Sequence, residues 1–67
     1  MIHNRNVMFC VIDVVIGNGT GQHSFNAGQG YQLTALEAGA RLLPAQVRKY
    51  FRPTRWEAKQ VNESYSK

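Results

Sequence analysis

The sequence predicts an α+β fold: a small antiparallel β-meander of about three strands packed on one kinked helix, with a basic C-terminal helical segment. Three features predict it. A β-branched run fills residues 7–16 and stops at a glycine. Two short alternating segments follow, separated by glycine-rich punctuation. From residue 34 the apolar spacing lengthens from two residues to three and four, the period of a helix.

Taken in order, Val7 to Ile16 reads as one long strand buried on much of both faces, with Asp13 toward an edge where its charge discourages unwanted pairing. The 17–21 stretch, Gly-Asn-Gly-Thr-Gly, is a turn. His23, Ser24 and Phe25 form a second short strand, and Tyr31, Gln32 and Leu33 a third. Thr34 and Glu37 match a capping box, which opens a helix whose stripe is Leu36, Ala40, Leu43, Val47 and Phe51. Pro44 either kinks this helix or starts a second one, since the first helical turn tolerates proline. Arg52 before Pro53 ends it. Thr54 and Glu57 repeat the capping pattern ahead of Ala58, Val61 and Tyr65. The expected core is Phe9, Val11, Val15, Phe25, Leu33, Leu36, Leu43, Val47 and Phe51. The expected division is a 1–52 domain and a 53–67 basic extension.

The chain has 67 residues and a formal net charge of +4. That length excludes a two-domain enzyme and a nucleotide-binding fold of ordinary size. The charge is unevenly placed: residues 1–40 sum to −1 and residues 41–67 to +5. Such a basic half implies an anionic partner. The single cysteine, Cys10, has no disulfide or metal-binding companion, which suggests a buried inert thiol and an intracellular setting. The apolar run is interrupted by Asp13 and lacks a small-residue cleavage site, so neither a secretion signal nor a membrane span is expected. The sequons at 18–20 and 62–64 then read as chance matches.

Chemistry-bearing motifs are sparse. Gly17, Gly19 and Gly21 follow a strand, but Gln22 stands where a dinucleotide loop needs its third glycine, and no helix pattern follows. His3 and His23 are far apart, and the four acids form no spaced pair. No catalysis, cofactor, metal or small-molecule substrate is expected. The strongest pattern is a basic stripe: Arg41, Arg48, Arg52, Arg55 and Lys59 at spacings of 7, 4, 3 and 4, interleaved with Lys49, Tyr50 and Trp56. Arginine forks suit carboxylates and phosphates, and the rings can stack or fill a pocket. These eight residues are the candidate binding surface.

Two resemblances arise from the middle of the chain. Phe25, Ala27, Gly28, Tyr31, Leu33, Thr34, Glu37, Ala38 and Leu42 form a pattern that resembles small proteins of tailed-phage head-gene clusters. That resemblance implies a strand, an Ala-Gly turn, a strand and a short capped helix, in a non-catalytic capsid, head–tail or other virion accessory role. Leu33, Thr34, Glu37, Ala38 and Leu42, with the segment Val47 to Phe51, are similar to excisionase-like and MerR-like helix–turn–helix DNA binders. That likeness implies a second helix in the major groove, with Arg48, Lys49 and Arg52 reaching DNA. Here the connection at Leu43-Pro44-Ala45 is shorter than the usual turn and lacks its glycine.

The expected function is therefore that of a non-enzymatic assembly or binding protein, a phage virion structural or accessory component. Its partners would be other virion proteins or copies of itself, in the virion or the infected host. A DNA-binding protein of excisionase type is the alternative, and an inhibitor of an acidic host protein the third.

Overall fold

The computed structural model describes residues 6–19 and 21–65. His3, Arg5, Lys67 and Thr20, the last residue of the first sequon and part of the expected turn, lie outside the described residues. The element order is β1 (Val7–Cys10), β2 (Val14–Asn18), β3 (Gly21–Phe25), β4 (Gly30–Gln32), a π-helical turn (Ala35–Gly39), α1 (Pro44–Tyr50), β5 (Phe51–Arg52) and α2 (Arg55–Tyr65). The class is α+β, as the sequence predicts. The strands form two antiparallel sheets, β4-β1-β5 and β2-β3, in place of a sequential meander.

The expected long strand at 7–16 is two strands. Asp13 divides them: its Oδ1 accepts the Ala27 N–H at 2.7 Å. The Cys10 thiol donates to the Ile12 carbonyl at 2.9 Å in the same bend. β1 lies at the centre of its sheet, with Phe9 opposite Gly30 on one side and Arg52 on the other. A Cβ at Gly30 would lie 3.1 Å from both Phe9 Cε2 and Val7 Cγ1, so the glycine lets these side chains cross β4 closely. Beyond the bend, β2 pairs with β3 from Val14↔Phe25 to Asn18↔Gly21. The core face is the one that carries Met8, Cys10, Val14 and Ile16, so Val15, expected in the core, lies on the opposite face and is 59% exposed.

The two sheets meet at three rings. Phe25 on β3, Tyr31 on β4 and Phe51 on β5 are mutually edge-to-face, at centroid distances of 5.2, 5.2 and 6.0 Å. This geometry sets the positive edge of one ring against the negative face of the next, for about 0.5–1.5 kcal/mol per pair beyond burial. The Tyr31 hydroxyl accepts the Asn26 N–H at 2.8 Å, which satisfies its polar tip. Cys10, Ile16, Leu36, Ala40, Leu42 and Val47 complete the core with Phe25 and Phe51. Phe9 and Leu33 are half-buried.

One kinked helix was expected over 36–51; the chain instead breaks it twice. Thr34 has helical backbone angles and makes no side-chain cap hydrogen bond, so the first capping box does not form. The segment it opens is a single π turn, closed by Ala40 N–H to the Ala35 carbonyl at 2.8 Å. Arg41 then takes a left-handed φ of 55°, and the Leu42 N–H reaches back to the Leu36 carbonyl at 2.9 Å. This left-handed step turns Leu42 inward and leaves Leu43, expected in the core, 64% exposed. Pro44 starts α1, where its missing N–H has no helical partner to lose. The Gln46 Oε1 accepts the Leu43 N–H at 2.9 Å at the same end.

Phe51 and Arg52, expected as the last helical residues, are extended and pair with β1. Pro53 accounts for the extension of Arg52, and β1 supplies the hydrogen-bonding edge. Thr54 caps α2 as predicted: its Oγ1 accepts the Glu57 N–H at 3.1 Å. Its hydroxyl donates to Glu57 Oε2 at 3.0 Å, so the carboxylate serves the hydroxyl rather than the backbone. The segment predicted as an extension folds back on the domain. Ala58 is buried, and Asn62 donates to the Val11 carbonyl across the molecule.

Candidate functional site

The basic stripe is not one continuous helical face. Arg41 lies in the link before α1, Arg48 and Lys49 on the exposed side of α1, Arg52 on β5, and Arg55, Trp56 and Lys59 on α2. The two extended residues of β5 interrupt the helical spacing that linked positions 48 and 55.

Arg52 has an internal task. Its Nη1 donates to the carbonyls of Arg48 and Lys49, the latter at 3.5 Å, and of Phe51 at 2.8 Å. The final carbonyls of a helix lack intrahelical donors and carry partial negative charge. One guanidinium nitrogen of Arg52 therefore serves as a C-terminal clamp for α1, turned toward the chain itself.

The aromatic pair separates in the same way. Tyr50 is half-buried against the core, with the Lys49 ammonium 5.3 Å from its ring centroid, and its carbonyl accepts the Val11 N–H at 2.8 Å. Trp56 is 68% exposed on the outer side of α2. Of the two rings, Trp56 is the exposed one.

Arg55 and Lys59 come together one helical turn apart at the rim of a groove of about 300 Å³. Ala58 and Val11 form its floor, both almost fully buried. The Ala27-Gly28 turn forms the facing wall, with Gly28 at a left-handed φ of 83°. The Arg55 guanidinium carbon lies 5.3 Å from the Phe9 ring centroid, a cation–π contact that keeps the side chain beside the sheet. Among the described residues, neither Arg55 nor Lys59 has a carboxylate ion-pair partner. Cys10 closes the groove at depth; burial pushes its thiol above the ordinary value of 9.0, with backbone hydrogen bonds opposing and Asp13 adding to the rise.

Sequence reading did not find this groove, because its wall and its rim are nearly thirty residues apart in the chain. The one local sign was Asn62, a polar residue four positions after Ala58 on the inward stripe of α2.

Among the described residues no group of three or more His, Cys, Asp or Glu side chains is placed to hold a metal ion. No helix of the described residues is long and apolar enough to cross a membrane. No protein-family model, curated protein or solved structure matches the chain.

Proposed function

We propose that this chain is a non-enzymatic assembly or binding protein, a structural or accessory component of a phage virion. It docks through the cationic surface of α1 and α2 onto acidic surfaces of other virion proteins or of its own copies. One observation carries the reading: Trp56, a large apolar ring, is 68% exposed on α2, the helix that also carries Arg55 and Lys59. A solvated tryptophan gains little from water and much from a partner pocket, and arginine and tryptophan are enriched among residues that dominate interface energies.

The virion assignment draws on the pattern from Phe25 to Leu42. Its Ala27-Gly28 step is a turn between two strands, its Phe25 and Leu42 enter the core, and a short helical turn follows Leu33. DNA binding of the excisionase type is the less supported alternative. The helix that would enter the groove, α1, has 7 residues, and Arg52, one of its three expected DNA contacts, clamps α1 instead.

The test is light scattering of the protein alone, beside fluorescence anisotropy of a labelled DNA duplex at low and at near-physiological salt. Self-association, with DNA binding that disappears as salt rises, supports assembly. Sequence-selective DNA binding that survives physiological salt overturns it, because nonspecific phosphate contacts alone weaken steeply with salt.

A further inference from the structure

The groove between α2 and the Ala27-Gly28 turn has the makings of a recognition site in its own right. It is concave and about 300 Å³ in volume, enough for one aliphatic side chain with a flanking charged group. Its floor, at Val11 and Ala58, is apolar. Its rim carries two cations, Arg55 and Lys59, with no carboxylate partner among the described residues and no acidic residue lining the groove. Arg55 is held in place by the Phe9 ring, which reduces the entropy lost when the guanidinium engages a ligand. The floor is fixed to the rest of the molecule, since Asn62 ties α2 to the Val11 carbonyl at 2.8 Å.

We propose that this groove binds a short acidic peptide segment of a partner protein. An aliphatic side chain of that segment sits on Val11 and Ala58, and its flanking carboxylates pair with Arg55 and Lys59. Charge complementarity selects an anionic occupant, and the apolar floor selects one that carries a side chain to bury. A nucleic-acid backbone fits the geometry less well. It needs a track of cations along successive phosphates, whereas this rim offers two on one helical turn around an apolar depression. The assignment rests on the reading of the chain as a binding protein and names the chemistry of one partner segment.

The experiment uses amide NMR of the full chain, titrated with a blocked peptide of one leucine between two glutamates. A counterpart with glutamines for the glutamates and a short DNA duplex are titrated alongside. The glutamate peptide is expected to shift the amides of Ala27, Gly28, Ala58 and Lys59 saturably, and the glutamine peptide to lose most of that affinity. Arg55→Gln and Lys59→Gln should each weaken binding by roughly three- to tenfold. Ala27→Trp places a ring over the groove from an exposed turn position and should abolish binding, while the remaining amide spectrum verifies the fold. Equal affinity of Ala27→Trp for the peptide, or shifts confined to Arg48 and Lys49, would overturn the assignment. So would groove shifts produced by DNA and not by the peptide. Retained self-association with an unresponsive groove removes the peptide site alone; failure of the assembly reading appears separately, in light scattering.

Discussion

Asn62 on α2 donates from Nδ2 to the carbonyl of Val11 at 2.8 Å, joining positions 51 residues apart. Val11 is 1% exposed, so its carbonyl has little access to water. Its N–H is satisfied by Tyr50, and Asn62 supplies the donor for the other end of the same peptide segment. An unsatisfied buried carbonyl costs about 1–3 kcal/mol. Asn62→Leu keeps the side chain's bulk and removes the donor. It is expected to lower the unfolding free energy by about 1–2 kcal/mol in a urea titration, and to make the α2 amides exchange faster than those of β1. Unchanged stability would mean that water can replace Asn62 at the Val11 carbonyl and that α2 is held by Ala58 and the Arg55–Phe9 contact.

Arg52 and Arg48 should behave differently although both are arginines of the basic segment. Arg52 Nη1 is committed to the Arg48 and Lys49 carbonyls of α1 and to that of Phe51, whereas Arg48 is exposed. Arg52→Ala is expected to cost about 1 kcal/mol of stability through the lost clamp, with Arg52→Lys restoring part of it, because an ammonium is also a charged multiple donor but is a flexible point charge without the planar guanidinium's preset geometry. Arg48→Ala should leave stability within about 0.5 kcal/mol while reducing association with acidic partners. Thermal melts and light scattering on the same samples separate the two effects.

The parts of the fold that were legible in the sequence are those set by local chemistry. The strands ending at Phe25 and around Tyr31, an interruption of the helical stripe at Pro44 (read as a kink or a start) and the cap at Thr54 all follow from residues within a few positions of one another. The misread parts depend on partners distant in sequence. Nothing local in the 7–16 run shows that Asp13 will take the amide of Ala27 and divide the strand, or that the face of Cys10 and Ile16, and not that of Val15, will turn to the core. β5 has only 2 residues, too few for any alternation, and exists because β1 offers it an edge. The exchange of Leu42 for Leu43 in the core follows from the left-handed angle at Arg41, a position where sequence gives no glycine to announce it. The candidate site suffered accordingly: a stripe drawn for one helical axis was divided among α1, β5 and α2.

Cys10 gives a pH-dependent stability with a defined sign. Burial raises its folded-state pKa above the ordinary 9.0, so the native protein retains the thiol proton where the unfolded chain has lost it. Well below pH 9.0 both states hold the proton and Cys10 contributes no slope. Above it the unfolded state is favoured, by at most about 1.4 kcal/mol per pH unit, until the folded thiol also ionises. The difference between native protein and Cys10→Ala, measured by urea unfolding from neutral pH upward, isolates this effect from the lysines and tyrosines that titrate nearby. The native protein is expected to lose stability relative to the variant as pH rises past 9.0. A thiol-directed disulfide reagent should react with native Cys10 only as fast as local or global opening allows, because the side chain is fully buried.

Asp13 can be tested as the residue that breaks the N-terminal strand in two. Its Oδ1 accepts the Ala27 N–H, and the bond fixes the bend before β2 to the turn after β3. Because both groups are exposed, water can replace the carboxylate, which limits the loss for Asp13→Ala to about 0.5–1.5 kcal/mol. The larger effect is on the geometry of the bend. Without this acceptor, the bend at residues 11–13 should sample extended conformations that continue β1 and loosen the β2–β3 hairpin from the turn at Ala27. Asp13→Asn retains an acceptor oxygen and should keep the native β2–β3 pairing at Ile16↔His23. Backbone amide shifts and cross-strand contacts at that pair read the register directly. Native pairing in both variants, with equal stability, would assign the bend to the Cys10–Ile12 contact and the core packing of Ile16 instead.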